Sequence, residues 1–250
     1  MSSGPSGRAE YRVSIVIPVI DEQEQINDCL ERLAEQRFDG RYQTIVVDGD
    51  PSGSTIRVVR DDRVVCLTSD PGRGRQMNAG AAAAAGDILL FLHVDTHLPP
   101  GALARIDSTM KTNGYVGGAF ELGIDSERPF LKHIAGRANR RSHRKRIPYG
   151  DQAIFLSRTY FETIGGFREI PIMEDLDLMI RIRRDGGPIH ILDQRVMTSA
   201  RRWEAEGALC TTARNKIIRM LFHLGVRPEV LARFYRIQSR IRRGQAAIRR

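Results

Sequence analysis

Carboxylates recur in this sequence directly after apolar runs, and that spacing is the first sign of chemistry. The clearest case is residues 86–96, GDILLFLHVDT, where the apolar run 88–92 gives way to His93 and Asp95. Such a run reads as a strand buried on both faces. A carboxylate at its end is placed to hold a divalent cation, because Mg2+ and Mn2+ take oxygen ligands and share them with substrate phosphates. The alternative is that Asp95 only caps a helix beginning near Pro99. Asp21 follows the apolar run 12–19, and Asp48 follows 42–47, in the same way. Strand ends of this kind suit a nucleotide pocket, since ligands bind outside the carboxyl ends of strands in open α/β sheets. Taken singly, each is equally a loop residue in water.

Positioning those carboxylates requires strands at 12–19, 42–47, 63–67 and 88–92, with helices between them from near Glu22, at 55–60 and at 76–85. That alternation implies a parallel sheet with helices on its faces. Ile26, Leu30 and Leu33 give the first helix its period, and Glu22 and Glu24 put acids in its first turn. The Ala-rich segment 76–85 has high helix propensity. Beyond it the pattern predicts a helix over 100–110 and strands at 115–124 and 153–156. A helix capped by Ser157 then ends at Gly165-Gly166, and another covers 174–184. Edge strands at 188–192 and 196–199 precede two closing helices, 204–224 and 228–243. The fold class is therefore α/β, a mixed sheet flanked by helices, with a disordered lead-in over 1–10 and a C-terminal helical extension over 204–250.

The formal net charge of +9 calls for an anionic partner: nucleotide, lipid head group or nucleic acid. Nucleic acid fits poorly, because only 6% of residues are aromatic and they do not interleave with the basic ones. Residues 129–146 are basic and hold no acid, forming either a flap over an anionic ligand or a surface for lipid head groups. In the tail, Val230, Phe234, Ile237 and Ile241 form a stripe beside Arg233, Arg236, Arg240 and Arg243. Such a helix packs on the domain, packs on a second copy of the chain, or lies peripherally on an anionic membrane. Cys29, Cys66 and Cys210 lie far apart, and the first two read as buried thiols. With no leader and no apolar run near the ~20 residues of a span, the expected location is cytoplasmic, extending to the inner membrane face.

Five segments in order carry a family resemblance. They are 13–26 (VSIVIPVIDEQEQI), 46–55 (VVDGDPSGST), 72–80 (GRGRQMNAG), 91–95 (FLHVD) and 174–178 (EDLDL). Together they resemble family 2 glycosyltransferases of the GT-A fold over about residues 12–203, and Tyr149-Gly150-Asp151-Gln152 is most similar to small bacterial members. The resemblance implies a catalytic domain over 11–203, with 11–98 as its nucleotide-binding half and 99–203 as its acceptor half. It implies a UDP- or GDP-sugar donor, Mg2+ or Mn2+, and a small-molecule or lipid-linked acceptor. Asp48 would receive the base, Asp21 or Glu22 would lie near base or ribose, and Pro18, Asn78 and Val94 would complete the donor set. Asp95 matches the metal-binding DxD, in which His93 replaces the first Asp; His93 contacts ribose, meets the metal through solvent, or packs.

Arg73 and Arg75, set among glycines that allow close backbone approach, either reach phosphate oxygens or lie in a solvated loop. Glu174-Asp175 would supply the base of an inverting transfer, Asp175 acting and Glu174 its neighbour. Together with Asp177 these acids raise one another's pKa while the helix dipole favours the ionised form, although acids are common in a first helical turn. Asp151 and Gln152 would shape the acceptor pocket. Arg201-Arg202-Trp203 is similar to the QxxRW element of processive relatives. There Arg202 would bind diphosphate and Trp203 would stack on sugar or join the core. Ser199 in place of Gln, with no spans, argues against a processive synthase. A nucleotidyltransferase on a similar sheet would need a Gly-rich, Lys-bearing turn after the first strand, where this chain has Pro18 to Glu22. The GxGxxG fingerprint fails at Met77, and no P-loop is present.

Overall fold

Apolar runs bounded by turn formers fold into one sheet with helices on both faces. The computed structural model describes residues 11–111 and 114–235, apart from the Arg202 side chain. The expectations for residues 1–10 and for Ile237 and Ile241 lie outside the described residues. In chain order the elements are β1 (Val13–Val19), α1 (Ile26–Ala34), β2 (Tyr42–Asp48), β3 (Val65–Thr68), α2 (Arg73–Ala82), β4 (Ile88–Phe91), β5 (Thr96–His97) and α3 (Ala102–Lys111). There follow β6 (Gly117–Asp125), α4 (Pro129–Lys145), β7 (Phe155–Ser157), α5 (Arg158–Thr163), α6 (Glu174–Asp185), β8 (Ile189–Ser199), α7 (Arg201–Glu206) and α8 (Ala208–His223). Short 3-10 turns occupy Ile56–Val58 and Gly150–Gln152, and 228–235 is helical again.

The strands form one sheet in the order β3-β2-β1-β4-β7-β6-β8-β5. The first four positions are parallel, as the β-α alternation predicts, and β7 joins β4 and β6 antiparallel. Because β1 leads to β2 on one side while β4 lies on the other, the chain reverses direction across the sheet between β1 and β4. Ligand crevices form at such a switch point. Alternate side chains along β1 and β4 enter opposite cores. Val13, Ile15, Ile17, Ile88, Leu90 and Leu92 pack with α1 and α3, whereas Val16, Leu89 and Phe91 pack with α2, α5 and α6. A smaller third cluster joins Leu122 and Ile124 of β6 to Leu131 and Ala135 of α4, with Trp203 against it.

Several boundaries differ from the sequence pattern. Residues 22–25 form a turn, closed by the N–H groups of Gln25 and Ile26 donating to the Glu22 carbonyl, so α1 starts at Ile26. The helix expected at 55–60 is only the 3-10 turn, and Ser157 precedes α5 without a side-chain cap bond. The two expected edge strands are one strand, β8, lying between β6 and β5, with a register shift that leaves Asp193 and Gln194 bulged. The basic run 129–146 folds as α4, held on β6 by Leu131, Ala135 and Asn139. Cys66 is exposed, not buried. No helix among the described residues is long and apolar enough to cross a membrane.

Candidate active site

The carboxyl ends of β1, β2 and β4 lie at one sheet edge, but the acids there have different fates. Asp48 is fully buried, and its carboxylate is consumed by its own loop. Oδ1 accepts the Asp50 N–H at 2.9 Å, and Oδ2 accepts those of Thr55 (2.8 Å) and Ile56 (3.3 Å). A carboxylate so occupied organises the 49–56 loop. Asp50, half-exposed beside it, is held well below the usual carboxylate range by hydrogen bonds from Ser52 and Ser54. Asp21 is exposed in the left-handed region at φ 56°. Glu22 takes its backbone N–H to Thr55 Oγ1, so the turn after β1 is tied to the loop after β2. Pro18 sits in β1 opposite Val47.

Gln76 binds that edge to α2, its Nε2 donating to the carbonyls of Val19 and Val47. Helix α2 begins at Arg73, one turn earlier than expected, so Arg73 and Arg75 lie in its first turn and not in a loop. Gly74 serves protein packing rather than ligand approach, since a Cβ there would meet the Arg168 carbonyl oxygen at 2.7 Å. Arg75 is paired with Glu169 (2.9 Å) and Asp70 (3.5 Å). Asn78 is likewise spent, donating to the Phe167 carbonyl and accepting the Phe167 N–H. Val94 turns its side chain into the core.

At the end of β4 a different set converges. Arg73, Met77, Phe91, His93, Gly150, Ile154, Phe167, Glu174 and Asp175 line one small hollow. Asp175 Oδ2 accepts the Gly150 N–H at 2.7 Å and Oδ1 accepts the Leu176 N–H at 2.7 Å. The missing Cβ of Gly150 makes this possible, since it would lie 2.9 Å from His93 Nε2 and 3.4 Å from Asp175 Oδ2. Glu174 is 5% exposed and 3.7 Å from Arg73. Burial raises its pKa; Arg73 opposes that rise, and Asp175 adds to it. Asp177 takes no part, being paired with Arg168 at 3.1 Å and Arg181 at 2.8 Å. Left-handed backbone at Ala153 (φ 48°) and Met173 (φ 68°) flanks this set, and such strain gathers at functional sites.

Asp95 is half-exposed in the turn between β4 and β5, and it does not cap α3, whose Ala102 N–H is met by Gln36 Oε1. No group of three or more His, Cys, Asp or Glu side chains gathers to bind a metal among the described residues. One accessible carboxylate fits a cation that draws its other ligands from phosphates and water, not a protein-built cage.

Of the remaining expected residues, Gln152 is fully buried and structural. Its Oε1 accepts the Ser142 hydroxyl at 2.8 Å, and its Nε2 donates to the Phe120 carbonyl at 2.9 Å. Asp151 is half-buried beside it, Trp203 packs on the third cluster, and the Arg202 side chain lies outside the described residues. Sequence reasoning did not single out Arg141 of α4 or Arg219 of α8, which bring guanidinium carbons to 3.6 and 5.4 Å from the Tyr149 ring centroid. Arg141 is masked by the basic residues around it, and nothing local marks Arg219.

The family model described as Glycosyl transferase family 2 matches residues 14–168. An uncharacterized glycosyltransferase of Mycobacterium tuberculosis is 25% identical over 198 residues, covering 72% of this chain and 70% of that one. An undecaprenyl-phosphate 4-deoxy-4-formamido-L-arabinose transferase of Proteus mirabilis is 29% identical over 114 residues, covering 42% of this chain and 35% of its own. The match thus spans about a third of the Proteus protein's length. Among solved structures, a mannosyltransferase of Pyrobaculum calidifontis in complex with GDP-Man and Mn2+ superposes with a TM-score of 0.58 at 20% identity, over 75% of this chain and 56% of that one. TarS of S. aureus gives 0.61 at 15% identity, over 75% and 36%. At these identities the structural likeness is one of fold.

Proposed function

The chain belongs to glycosyl transferase family 2 and has the GT-A fold, and from that premise we propose an inverting transfer of one sugar from a UDP- or GDP-sugar to a small or lipid-linked acceptor. Residues 11–98 hold the donor, 99–203 supply the base and acceptor surface, and 204–235 are a helical extension. The observation that carries this reading is the Asp175 carboxylate, fixed by the Gly150 N–H in a hollow shared with His93 at the end of β4. The acceptor hydroxyl oxygen attacks the anomeric carbon from the face opposite the leaving group. As the new C–O bond forms, the bond to the nucleoside diphosphate breaks with its electron pair, and the hydroxyl proton passes to Asp175.

Arg73, 46% exposed at the start of α2 and only loosely paired with Glu174, would meet the departing diphosphate. The 49–56 loop, shaped by Asp48, and the turn at Asp21-Glu22 form the base and ribose side. Asp95 would hold Mg2+ or Mn2+, which when bound neutralises charge on the leaving diphosphate. GDP-Man and Mn2+ in the Pyrobaculum complex, UDP-GlcNAc in a TarS complex and the lipid phosphate in the Proteus enzyme's name support this choice of donor, metal and acceptor classes.

Thermal shift with UDP and GDP, each with and without Mn2+, tests the donor site. One nucleotide should raise the melting temperature in a Mn2+-dependent way, and Asp95→Ala should abolish the Mn2+ increment. Stabilisation by neither nucleotide would remove the donor-site reading.

A further inference from the structure

Three side chains beside Asp175 have no task in the reaction above. Tyr149 precedes the glycine whose N–H fixes Asp175, and Arg141 from α4 lies over its ring at 3.6 Å. Arg219 reaches the same ring, at 5.4 Å, from α8. Arg141 is poorly satisfied within the protein. Its Nε is closed to water without a hydrogen-bond partner, and NH2 reaches only Gln152 Oε1, at 3.4 Å. Among the described residues neither arginine forms a salt bridge. Burial draws the Arg141 guanidinium below arginine's usual range; Tyr149, Asp151 and Asp175 resist this, and Arg219 adds to it. Two cations from helices far apart in sequence thus meet at one ring and repel each other.

Packing alone does not call for such an arrangement, because a half-buried cation without a paired carboxylate costs desolvation, which the Tyr149 ring and the charges of Asp151 and Asp175 offset only in part. An anion between the guanidiniums would supply the missing acceptor, and arginine's planar fork suits phosphate and carboxylate. Both arginines come from elements after β4, whereas Arg73 belongs to α2 and lines the hollow that holds Asp175.

Resting on the transfer reading above, we propose that Arg141, Tyr149 and Arg219 form a subsite for an anionic group on the acceptor. The acceptor is then a hydroxyl compound bearing phosphate or carboxylate, whose anion anchors it while its hydroxyl meets Asp175. The bonds made and broken are those already given, with the anion unchanged.

The test is calorimetric titration of inorganic phosphate, then of glycerol phosphate, into protein saturated with the nucleoside diphosphate that stabilises it. Wild type should bind both. Arg141→Gln and Arg219→Gln should each weaken binding about tenfold, as expected for loss of a charge-assisted hydrogen bond. Arg141→Lys should recover part of the loss, and affinity for the nucleoside diphosphate should not change. Arg219 is the more peripheral of the two, so its variant serves if Arg141→Gln does not fold. Vesicles of phosphatidylglycerol against phosphatidylcholine separate a lipid source of the phosphate from a soluble one. Selective binding to the former, lost in Arg219→Gln, assigns a lipid acceptor; glycerol phosphate binding without it assigns a soluble one. Nucleotide binding without phosphate binding, or equal loss of nucleotide affinity in the variants, overturns the inference alone. Failure of wild type to bind any nucleotide removes the transfer reading and this inference with it.

Discussion

Two aspartates at the same sheet edge show how burial separates structural from chemical carboxylates. Asp48 spends both oxygens on three backbone N–H groups of its own loop, while Asp175 is half-exposed in a hollow. Asp48→Ala would orphan those donors and should cost about 1–3 kcal/mol in denaturant unfolding, the range for one unsatisfied buried group, because of the three only the Thr55 N–H bond is fully buried. Glu174 makes a different prediction. Its folded-state pKa is raised, chiefly by burial, so the folded protein binds its proton more tightly than the unfolded chain does. The stability due to this group is complete below the unfolded value, near ~4.3, and is lost as pH rises through the raised folded value. Wild-type stability measured relative to Glu174→Gln should therefore fall across that window, by at most about 1.4 kcal/mol per pH unit. A difference independent of pH would contradict the raised value. The family resemblance singles out Glu174 and Asp175, because acids at a helix start are common in themselves. The sequence does not reveal that Asn78, Gln152 and Asp48 are spent on backbone groups, because the partners of Asn78 and Gln152 (Phe167 and Phe120) lie far along the chain.

Among the elements, those set by periodicity were legible and those set by packing were not. Ile26, Leu30 and Leu33 announce α1, and the apolar runs along β1 and β4 announce strands buried on two sides. The β8 strand read as two because Asp193 and Gln194 bulge from its middle, and the closing helix divides at Gly207, at φ 82°. The early start of α2 was hidden because Arg73-Gly74-Arg75 has the composition of a loop, yet Gly74 is buried against the Arg168 carbonyl. Gly74→Ala should push α2 away from that carbonyl, costing about 1–3 kcal/mol as an overpacked contact, and should weaken nucleotide binding by displacing Arg73. Gly136→Ala is the matched control. It lies within α4 with open space at its Cβ position, so the protein should gain up to about 1 kcal/mol. Melting temperatures of the pair, moving in opposite directions, check both statements.

At the level of the whole molecule, the chain's two halves complete one sheet. The parallel strands β1, β2 and β4 present their carboxyl ends, and β7, paired to β4, brings the Gly150 turn and α6 to the same place. The family resemblance gave the order of these parts, and the amphipathic patterns gave most of the elements. Neither contained the contact of α8 with the centre, where Arg219 reaches Tyr149 and Phe222 packs against the core beneath α2 and α6. The proposed transfer divides the labour, one half retaining the nucleotide and the other removing a proton. The direct measurement is nucleotide affinity and sugar release together in Asp175→Asn, using the UDP- or GDP-sugar that wild type consumes, with water as acceptor where no other is known. Nucleotide affinity should match wild type while turnover falls about 100-fold or more, the range for loss of a general base. Turnover at the wild-type rate would contradict the account.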